Sequence, residues 1–300
     1  MEVKQSEDGQ QRNKKLKRHF FVVVMLVALA FIYIGVLFGS FITDFIVQRL
    51  GEVDDAIVFL FDYLSSFGII IFVFLYCIIF EKDVFRSFMY IRQGGAKGNT
   101  FKRFGIGVLM GFLLNSICVL IAFISGDLHF SLNKFSFIYM IIALLCVLVQ
   151  SGAEELVCRG YLMGALRERY PAWVVILINV IIFVLPHLGN DGISVLPVIQ
   201  IALIAFVAGL MVYYLDSLWM AIGLHTAWNF TQSFLYGLPN SGKVSKGSVL
   251  HLEAASDSIF YDTAFGIEGA LTAVLIMVVF AVAVILYIRR IKSKNVTVED

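Results

Sequence analysis

The sequence predicts an all-α polytopic membrane protein with about eight transmembrane helices. Three observations support this fold class: the composition is strongly apolar, long uncharged segments recur along the chain, and basic residues concentrate in alternate loops. Of the 300 residues, 60% are hydrophobic and 15% are charged, whereas soluble domains are about 45–50% apolar and about 25% charged. A soluble protein of this composition would expose large apolar patches, so we expect the lipid bilayer to be its solvent.

Eight apolar segments are long enough to cross a bilayer, which takes about 17–25 helical residues. They lie near 20–43, 57–80, 104–125, 135–158, 172–188, 193–215, 217–237 and 265–288. The first segment is too long for the core of a signal peptide and lacks a cleavage site after it, so we predict a retained helix. We find no internal repeat or linker. One transmembrane domain, 20–288, is therefore expected between two cytoplasmic tails, 1–19 and 289–300.

The distribution of lysine and arginine predicts the orientation in the membrane. The N-terminal tail, the loop 81–103, the turn 167–169 and the C-terminal tail together contain 18 of these residues. The loops on the other side contain four: Arg49, Lys134, Lys243 and Lys246. Because Lys- and Arg-rich loops remain in the cytoplasm, we expect both termini there, in a multi-pass protein of the cell membrane. The net charge of +1 indicates no nucleic-acid partner.

Three clusters of polar residues interrupt the fourth, fifth and seventh segments. They contain Glu154, Glu155, Arg159, His187, His225 and Asn229. An ionisable residue in a membrane helix costs about 2.5–3.5 kcal/mol on insertion scales, so such residues usually have a function. At about 1.5 Å of rise per residue, the clusters lie roughly 12 to 21 Å from the cytoplasmic ends of their helices. Three separate helices thus bring polar groups to a similar depth, which indicates a functional site rather than isolated structural hydrogen bonds.

The spacing within the clusters predicts their geometry. Glu155 and Arg159 are four residues apart, so they share a helix face and can pair. Glu154 points about 100° away from Glu155 and can face a cavity. His225 and Asn229 are also four residues apart and face the same way.

These residue types fit the hydrolysis of an amide bond. The reaction needs an activated water, stabilisation of the oxyanion and a proton for the leaving nitrogen. A glutamate beside a histidine can bind and deprotonate water, and a second histidine and an asparagine can donate hydrogen bonds to the oxyanion. No serine or cysteine lies in a recognised nucleophile motif. The residues therefore predict a protease that forms no covalent intermediate.

A zinc-dependent metalloprotease is the competing mechanism. His187, His225 and Glu154 could supply the three ligands of a catalytic zinc ion, although the HExxH signature is absent. We favour the route without a cofactor, because the two histidines differ in depth by about 9 Å by helical rise. Asparagine is also an uncommon zinc ligand, whereas Asn229 is a suitable donor to an oxyanion.

Non-enzymatic functions are the remaining alternatives. A membrane binder or a small-solute transporter would also keep charges in the middle of the bilayer, but transporters often show inverted repeats and paired broken helices, which we do not find here. A pseudoenzyme is a further alternative. For a protease, the expected partners are the lipid bilayer and a membrane-embedded or membrane-associated protein or peptide substrate.

The three clusters resemble the motifs of the CPBP family, which includes the type II CAAX proteases and the Abi-like membrane proteins linked to bacteriocin processing and immunity. The family pattern is EExxxR, FxxxH and HxxxN, and it stands here, in that order, as 154–159, 183–187 and 225–229. The resemblance covers about 150–242. It departs from the family at Cys158, where an aromatic residue is common. It implies an intramembrane endopeptidase with eight helices.

The resemblance also implies a role for each motif residue. Glu154 and His187 would position and activate water, His225 and Asn229 would hold the oxyanion, and the pair formed by Glu155 with its arginine would support them. Eukaryotic relatives trim prenylated CAAX proteins, whereas bacterial relatives are linked to bacteriocin self-immunity or peptide maturation. Nothing in this sequence specifies a prenylated substrate.

Overall fold

The computed structural model describes residues 20–89 and 98–296. The predicted basic tail 1–19, part of the loop 81–103 and the last four residues lie outside the described residues. The described chain is built mainly from helices: α1 (Phe21–Leu50), α2 (Asp55–Leu64), α3 (Phe67–Phe80), α4 (Lys82–Met89), α5 (Phe101–Ile124), α6 (Phe137–Glu155), α7 (Met163–Leu166), α8 (Ala172–His187), α9 (Val195–Leu215), α10 (Leu218–Phe230) and α11 (Leu271–Val296).

Shorter elements connect or extend these helices. A π-helical turn joins α6 to α7, a second one extends α10, a 3₁₀ turn precedes α11, and two strands pair outside the helices. Their bounds are Leu156–Leu162, Thr231–Leu235, Ile267–Gly269, β1 (Leu128–Leu132) and β2 (Leu250–Ala255).

Six helical stretches are long and apolar enough to cross a membrane, which confirms the predicted all-α polytopic membrane class. They are Phe21–Leu50, Asp55–Phe80, Phe101–Ile124, Phe137–Leu166, Val195–Leu215 and Leu271–Ser293. The predicted fifth segment forms the shorter apolar helix α8, and the seventh forms α10 with its π-helical extension. The total of eight spans therefore stays a prediction.

Two predicted segments differ in detail from the structure. The first helix continues past the predicted end at 43 as far as Leu50, because the carboxylate of Asp44 lies on an exposed face and does not interrupt the backbone. The second segment is broken between α2 and α3 at Ser65 and Ser66. The break lies against Gly39 of α1, where a Cβ atom would overlap the carbonyl of Ser65.

A small antiparallel sheet of β1 and β2 was not predicted from the sequence. Each strand is short and half-exposed, so neither produces a long alternating pattern. Serine hydroxyl groups tie the surrounding loops to Asp127, whose carboxylate accepts hydrogen bonds from Ser258, Ser125 and Ser256. These hydrogen bonds lower the pKa of Asp127.

Helix α10, which carries two of the predicted site residues, packs on α5 with very close backbone contact. A Cβ atom at Gly107 or Gly111 of α5 would overlap a carbonyl of α10, and one at Gly223 of α10 would overlap the carbonyl of Phe104. Small residues let membrane helices approach in this way. The glycines therefore set the position of α10, and with it the position of His225 and Asn229.

Candidate active site

The predicted site residues lie at the ends of three neighbouring helices. Glu154 and Glu155 close α6, and Arg159 follows in the π-helical turn. His187 is the last residue of α8, and His225 and Asn229 lie in α10. A π-helical turn widens the helix locally, and such turns are frequent at functional sites.

A cavity of about 380 Å³ collects the polar side chains from these helices. This volume is within the range of small-molecule sites. Glu154, His187, His225 and Asn229 line it, whereas Glu155 and Arg159 lie behind its wall. The other lining residues include apolar side chains of α1, α3, α8 and α9, together with polar ones near the break between α2 and α3: Ile32, Val36, Ile69, Ile182, Ile201, Ile204, Ser65 and Ser66.

The predicted pair of Glu155 and Arg159 is present, and it extends to a third residue. Glu155 Oε1 accepts hydrogen bonds from Arg159 at 2.9 Å and from His225 Nδ1 at 3.1 Å. The side chains of Glu155 and Arg159 are fully buried. The guanidinium group also lies 4.2 Å from the centroid of the Phe183 ring, which is a cation–π distance. Glu155 therefore connects the motif 154–159 with the motif 225–229. Phe183, from the motif 183–187, contacts the arginine of the same pair.

Glu154 differs from Glu155 in lining the cavity, although each of them has one carboxylate oxygen without a hydrogen-bond partner among the described residues. Its Oε1 accepts a hydrogen bond from Gln150, one helical turn earlier. Its Oε2 has no hydrogen-bond partner among the described residues and lies 3.9 Å from Nε2 of His225. This distance is too long for a direct hydrogen bond. The side chain is 23% exposed and lines the cavity, while Oε2 itself is buried.

His187 is oriented by the backbone of its own helix. Its Nδ1 lies 2.8 Å from the carbonyl oxygen of Phe183, which can only accept. The proton of a neutral imidazole is thus on Nδ1, and Nε2 is left as an acceptor for the cavity. The Phe183 ring contacts the imidazoles of both His187 and His225, with centroid distances of 5.0 and 5.7 Å. Helix α8 continues through Pro186 and ends at His187.

Asn229 is held from two sides. Its Nδ2 donates to Oε1 of Gln150 at 3.2 Å, and its backbone carbonyl accepts from the side chain of Asn240 at 3.3 Å. Asn240 begins a tight turn that lines the cavity. The two central residues of this turn, Ser241 and Gly242, have φ values of 49° and 83°. Positive values at both positions define a type I′ turn, which explains the glycine.

Sequence reasoning missed Glu268, which also lines the cavity. It is 3% exposed, and both of its carboxylate oxygens are used. Oε1 accepts from the indole of Trp228 at 3.1 Å, and Oε2 accepts from the backbone N–H of Ser241 at 2.9 Å. An ionisable residue within the predicted eighth segment was the available signal. Gln150 was also missed, although it lies four residues before Glu154 on the same helix face.

The preference for a site without a cofactor stays a prediction, with zinc as its alternative. Within residues 20–89 and 98–296, no group of three or more His, Cys, Asp or Glu side chains has the arrangement of a metal site. His187, His225 and Glu154 nevertheless line one cavity and have the donor atoms that zinc prefers.

The comparison with known families concerns the part of the chain that carries this site. Residues 136–231, about a third of the chain, match the family model described as type II CAAX prenyl endopeptidase Rce1-like. No curated protein and no solved structure gives a significant match. All three motifs fall inside the matched residues. The match supports the resemblance to the CPBP family of membrane proteases and, in general terms, an intramembrane endopeptidase of the CAAX type.

Proposed function

We propose that this protein hydrolyses a peptide bond of a membrane-associated protein or peptide, using a water molecule that Glu154 and His187 position and activate. The observation that carries the proposal is the free Oε2 of Glu154. Glu154 lines the cavity, whereas Glu155 lies behind its wall, where one carboxylate oxygen accepts hydrogen bonds from both Arg159 and His225. One carboxylate is thus available as a base, and the other holds the site together.

Oε2 of Glu154 is buried at the edge of the cavity, 3.9 Å from Nε2 of His225. A water molecule that reaches it from the cavity would lie about 2.8 Å away. His187 lines the same cavity with Nε2 free to accept a hydrogen bond. In the proposed step the water oxygen attacks the substrate carbonyl carbon, and Glu154 takes the proton that the water loses.

The tetrahedral intermediate carries a negative charge that needs hydrogen-bond donors. Asn229 has a second Nδ2 hydrogen that Gln150 does not use. His225 can donate through Nε2 when it is protonated. Glu154 then passes its proton to the leaving nitrogen, so that the products are a carboxylic acid and an amine.

Zinc-dependent hydrolysis at the same residues is the second candidate, and one observation favours it. Metal-binding histidines usually donate their other ring N–H to a carbonyl or carboxylate. Both histidines do so here: His187 to the carbonyl of Phe183, and His225 to Glu155. We expect purified protein to contain no stoichiometric zinc and to stay active in a strong chelator. One zinc ion per chain, with activity lost on chelation and restored by zinc, would establish the metal mechanism.

Cleavage by purified protein in proteoliposomes tests the function itself. The probe is a mixture of membrane-anchored peptides of known mass, half of them prenylated at cysteine, with products identified by mass spectrometry. We expect products from the wild-type protein and none from Glu154→Gln, because glutamine cannot accept the proton. Equal products from both proteins would contradict the assigned mechanism. No product from the wild type would favour a binder or transporter.

A further inference from the structure

We propose that Gln150 is a positioning residue: its side chain is oriented by the carboxylate of Glu154 and in turn orients the amide of Asn229. The inference rests on the proposed function, because it concerns how the base and the oxyanion donor are held relative to each other. Gln150 lies outside the three motifs. It is half-buried and lines the cavity between these two residues.

The hydrogen bonds of Gln150 form a chain with a defined direction. An ionised carboxylate only accepts hydrogen bonds, so Glu154 requires the NH₂ group of Gln150 on its side. The carbonyl oxygen of Gln150 must then face the other way, towards Asn229. Because that oxygen only accepts, Asn229 must present its own NH₂ group. The hydroxyl of Ser151 also donates to this oxygen, which reinforces the same orientation.

The direction of this chain matters for the proposed reaction. An asparagine amide can present either its oxygen or its NH₂ group at almost the same position, and only the NH₂ group can donate to an oxyanion. Of the two Nδ2 hydrogens, one is held by Gln150 and the other is left for the substrate. Gln150 also holds Oε1 of Glu154, so Oε2 is the oxygen that is left unpaired. One side chain thereby aligns the base and the oxyanion donor.

Replacing Gln150 with methionine tests this role. Gln150→Met keeps the length of the side chain and removes both hydrogen bonds. We expect kcat to fall about 10- to 100-fold, as for other misplaced catalytic groups, with KM changed less than about twofold. Gln200→Met is the matched control, since Gln200 is fully buried, does not line the cavity and has no hydrogen-bond partner for its side chain among the described residues. Its kcat should equal that of the wild type.

A double-mutant cycle with Asn229→Ala separates positioning from general damage. If Gln150 acts through Asn229, adding Gln150→Met to Asn229→Ala should lower kcat less than it does in the wild type. Fully multiplicative effects, or a Gln150→Met variant as active as Gln200→Met, would overturn the proposal. Should Gln150→Met not fold, Gln150→Asn replaces it, because the shorter amide cannot reach both partners and must show the same loss in kcat.

Failure of the role of Gln150 and failure of the proposed function give different results. An inactive Glu154→Gln beside a fully active Gln150→Met would leave the function standing and remove the role of Gln150. An active Glu154→Gln would remove the proposed mechanism, whatever the result at position 150.

Discussion

The buried charges of the site differ in how completely they are paired. Arg159 donates from one guanidinium nitrogen to Glu155, while its Nε and second terminal nitrogen have no hydrogen-bond partner among the described residues. The face of the Phe183 ring covers the guanidinium instead. Burying two charges is costly, and removing one partner leaves the other uncompensated. The pair therefore makes Glu155 and His225 sensitive to any change at Arg159.

Glu154 and Arg159 are predicted to respond differently to substitution. Glu154→Gln should abolish cleavage and leave thermal stability in detergent nearly unchanged, because glutamine keeps the shape of the side chain. Arg159→Leu should lower the free energy of unfolding by about 3–5 kcal/mol, because Glu155 remains buried without its partner. Membrane expression, thermal unfolding and cleavage of both variants check these results. An unfolded Glu154→Gln beside a stable Arg159→Leu would reverse the two roles.

Glu268 is predicted to stabilise the wall of the cavity. Its carboxylate accepts from Trp228 on one oxygen and from Ser241 on the other, so both sides require an acceptor. Glu268→Gln would place an NH₂ group against one of these donors. We expect a loss of about 1–3 kcal/mol for the unsatisfied buried group, measured by thermal unfolding. Glu253→Gln, at an exposed position of β2, is the control and should not change stability. Equal thermal stability of both variants would contradict a stabilising role for Glu268.

At the scale of single elements, glycine determines how closely the catalytic helix packs. Gly111 of α5 lies against the carbonyl of Leu224, next to His225 in α10. Gly111→Ala should push α10 away, with a cost of about 1–3 kcal/mol for overpacking and a clear loss of cleavage. Gly105 is the matched control, since a Cβ atom there meets open space in the same helix. Gly105→Ala should retain wild-type stability and activity, measured by thermal unfolding and peptide cleavage. Wild-type behaviour of Gly111→Ala would show that the contact is adaptable.

The sequence predicted the contacts that arise within one helix. The four-residue spacing of Glu155 and Arg159 was sufficient to predict their pair, and the separation of Glu154 from Glu155 predicted that one faces a cavity. Contacts between helices were not predictable in the same way. The hydrogen bond from His225 to Glu155 joins residues 70 positions apart, and its existence depends on how α10 packs against α6. Rise along a helix gives depth but not lateral position.

The same limit explains which structural features were not predicted from the sequence. Apolar runs predict membrane helices because the bilayer requires about 20 apolar residues in sequence. They do not predict the break at Ser65, which depends on contact with Gly39, or the pairing of β1 with β2, which lie more than a hundred residues apart. Glu268 was missed because it lies at the start of its segment, where an interfacial position is the simpler interpretation. Its role depends on Trp228 and Ser241, which the sequence places far away.

For the whole molecule, contacts at the two ends of the helices agree with the alternating path that the loop charges predict. At one end, Arg167 pairs with Asp216, and the side chain of Arg103 donates to the carbonyl of Leu215. At the other end, Lys246 pairs with Asp55. Loops that were assigned to the same side of the membrane thus contact each other. The orientation of the two ends relative to the cytoplasm stays a prediction, since many of the basic residues that determine it lie in the undescribed segments.

Cysteine labelling on intact cells tests that orientation. The four native cysteines are buried, so they give little background with a membrane-impermeant maleimide. Val244 and Glu168 are exposed at opposite ends of the helices, and each can be replaced singly with cysteine. The positive-inside rule places the end with Glu168 in the cytoplasm. We therefore expect Val244→Cys to be labelled on intact cells and Glu168→Cys only after permeabilisation. A phosphatase fused to the C-terminus should accordingly be inactive. Labelling of Glu168→Cys on intact cells, together with an active phosphatase, would invert the predicted topology.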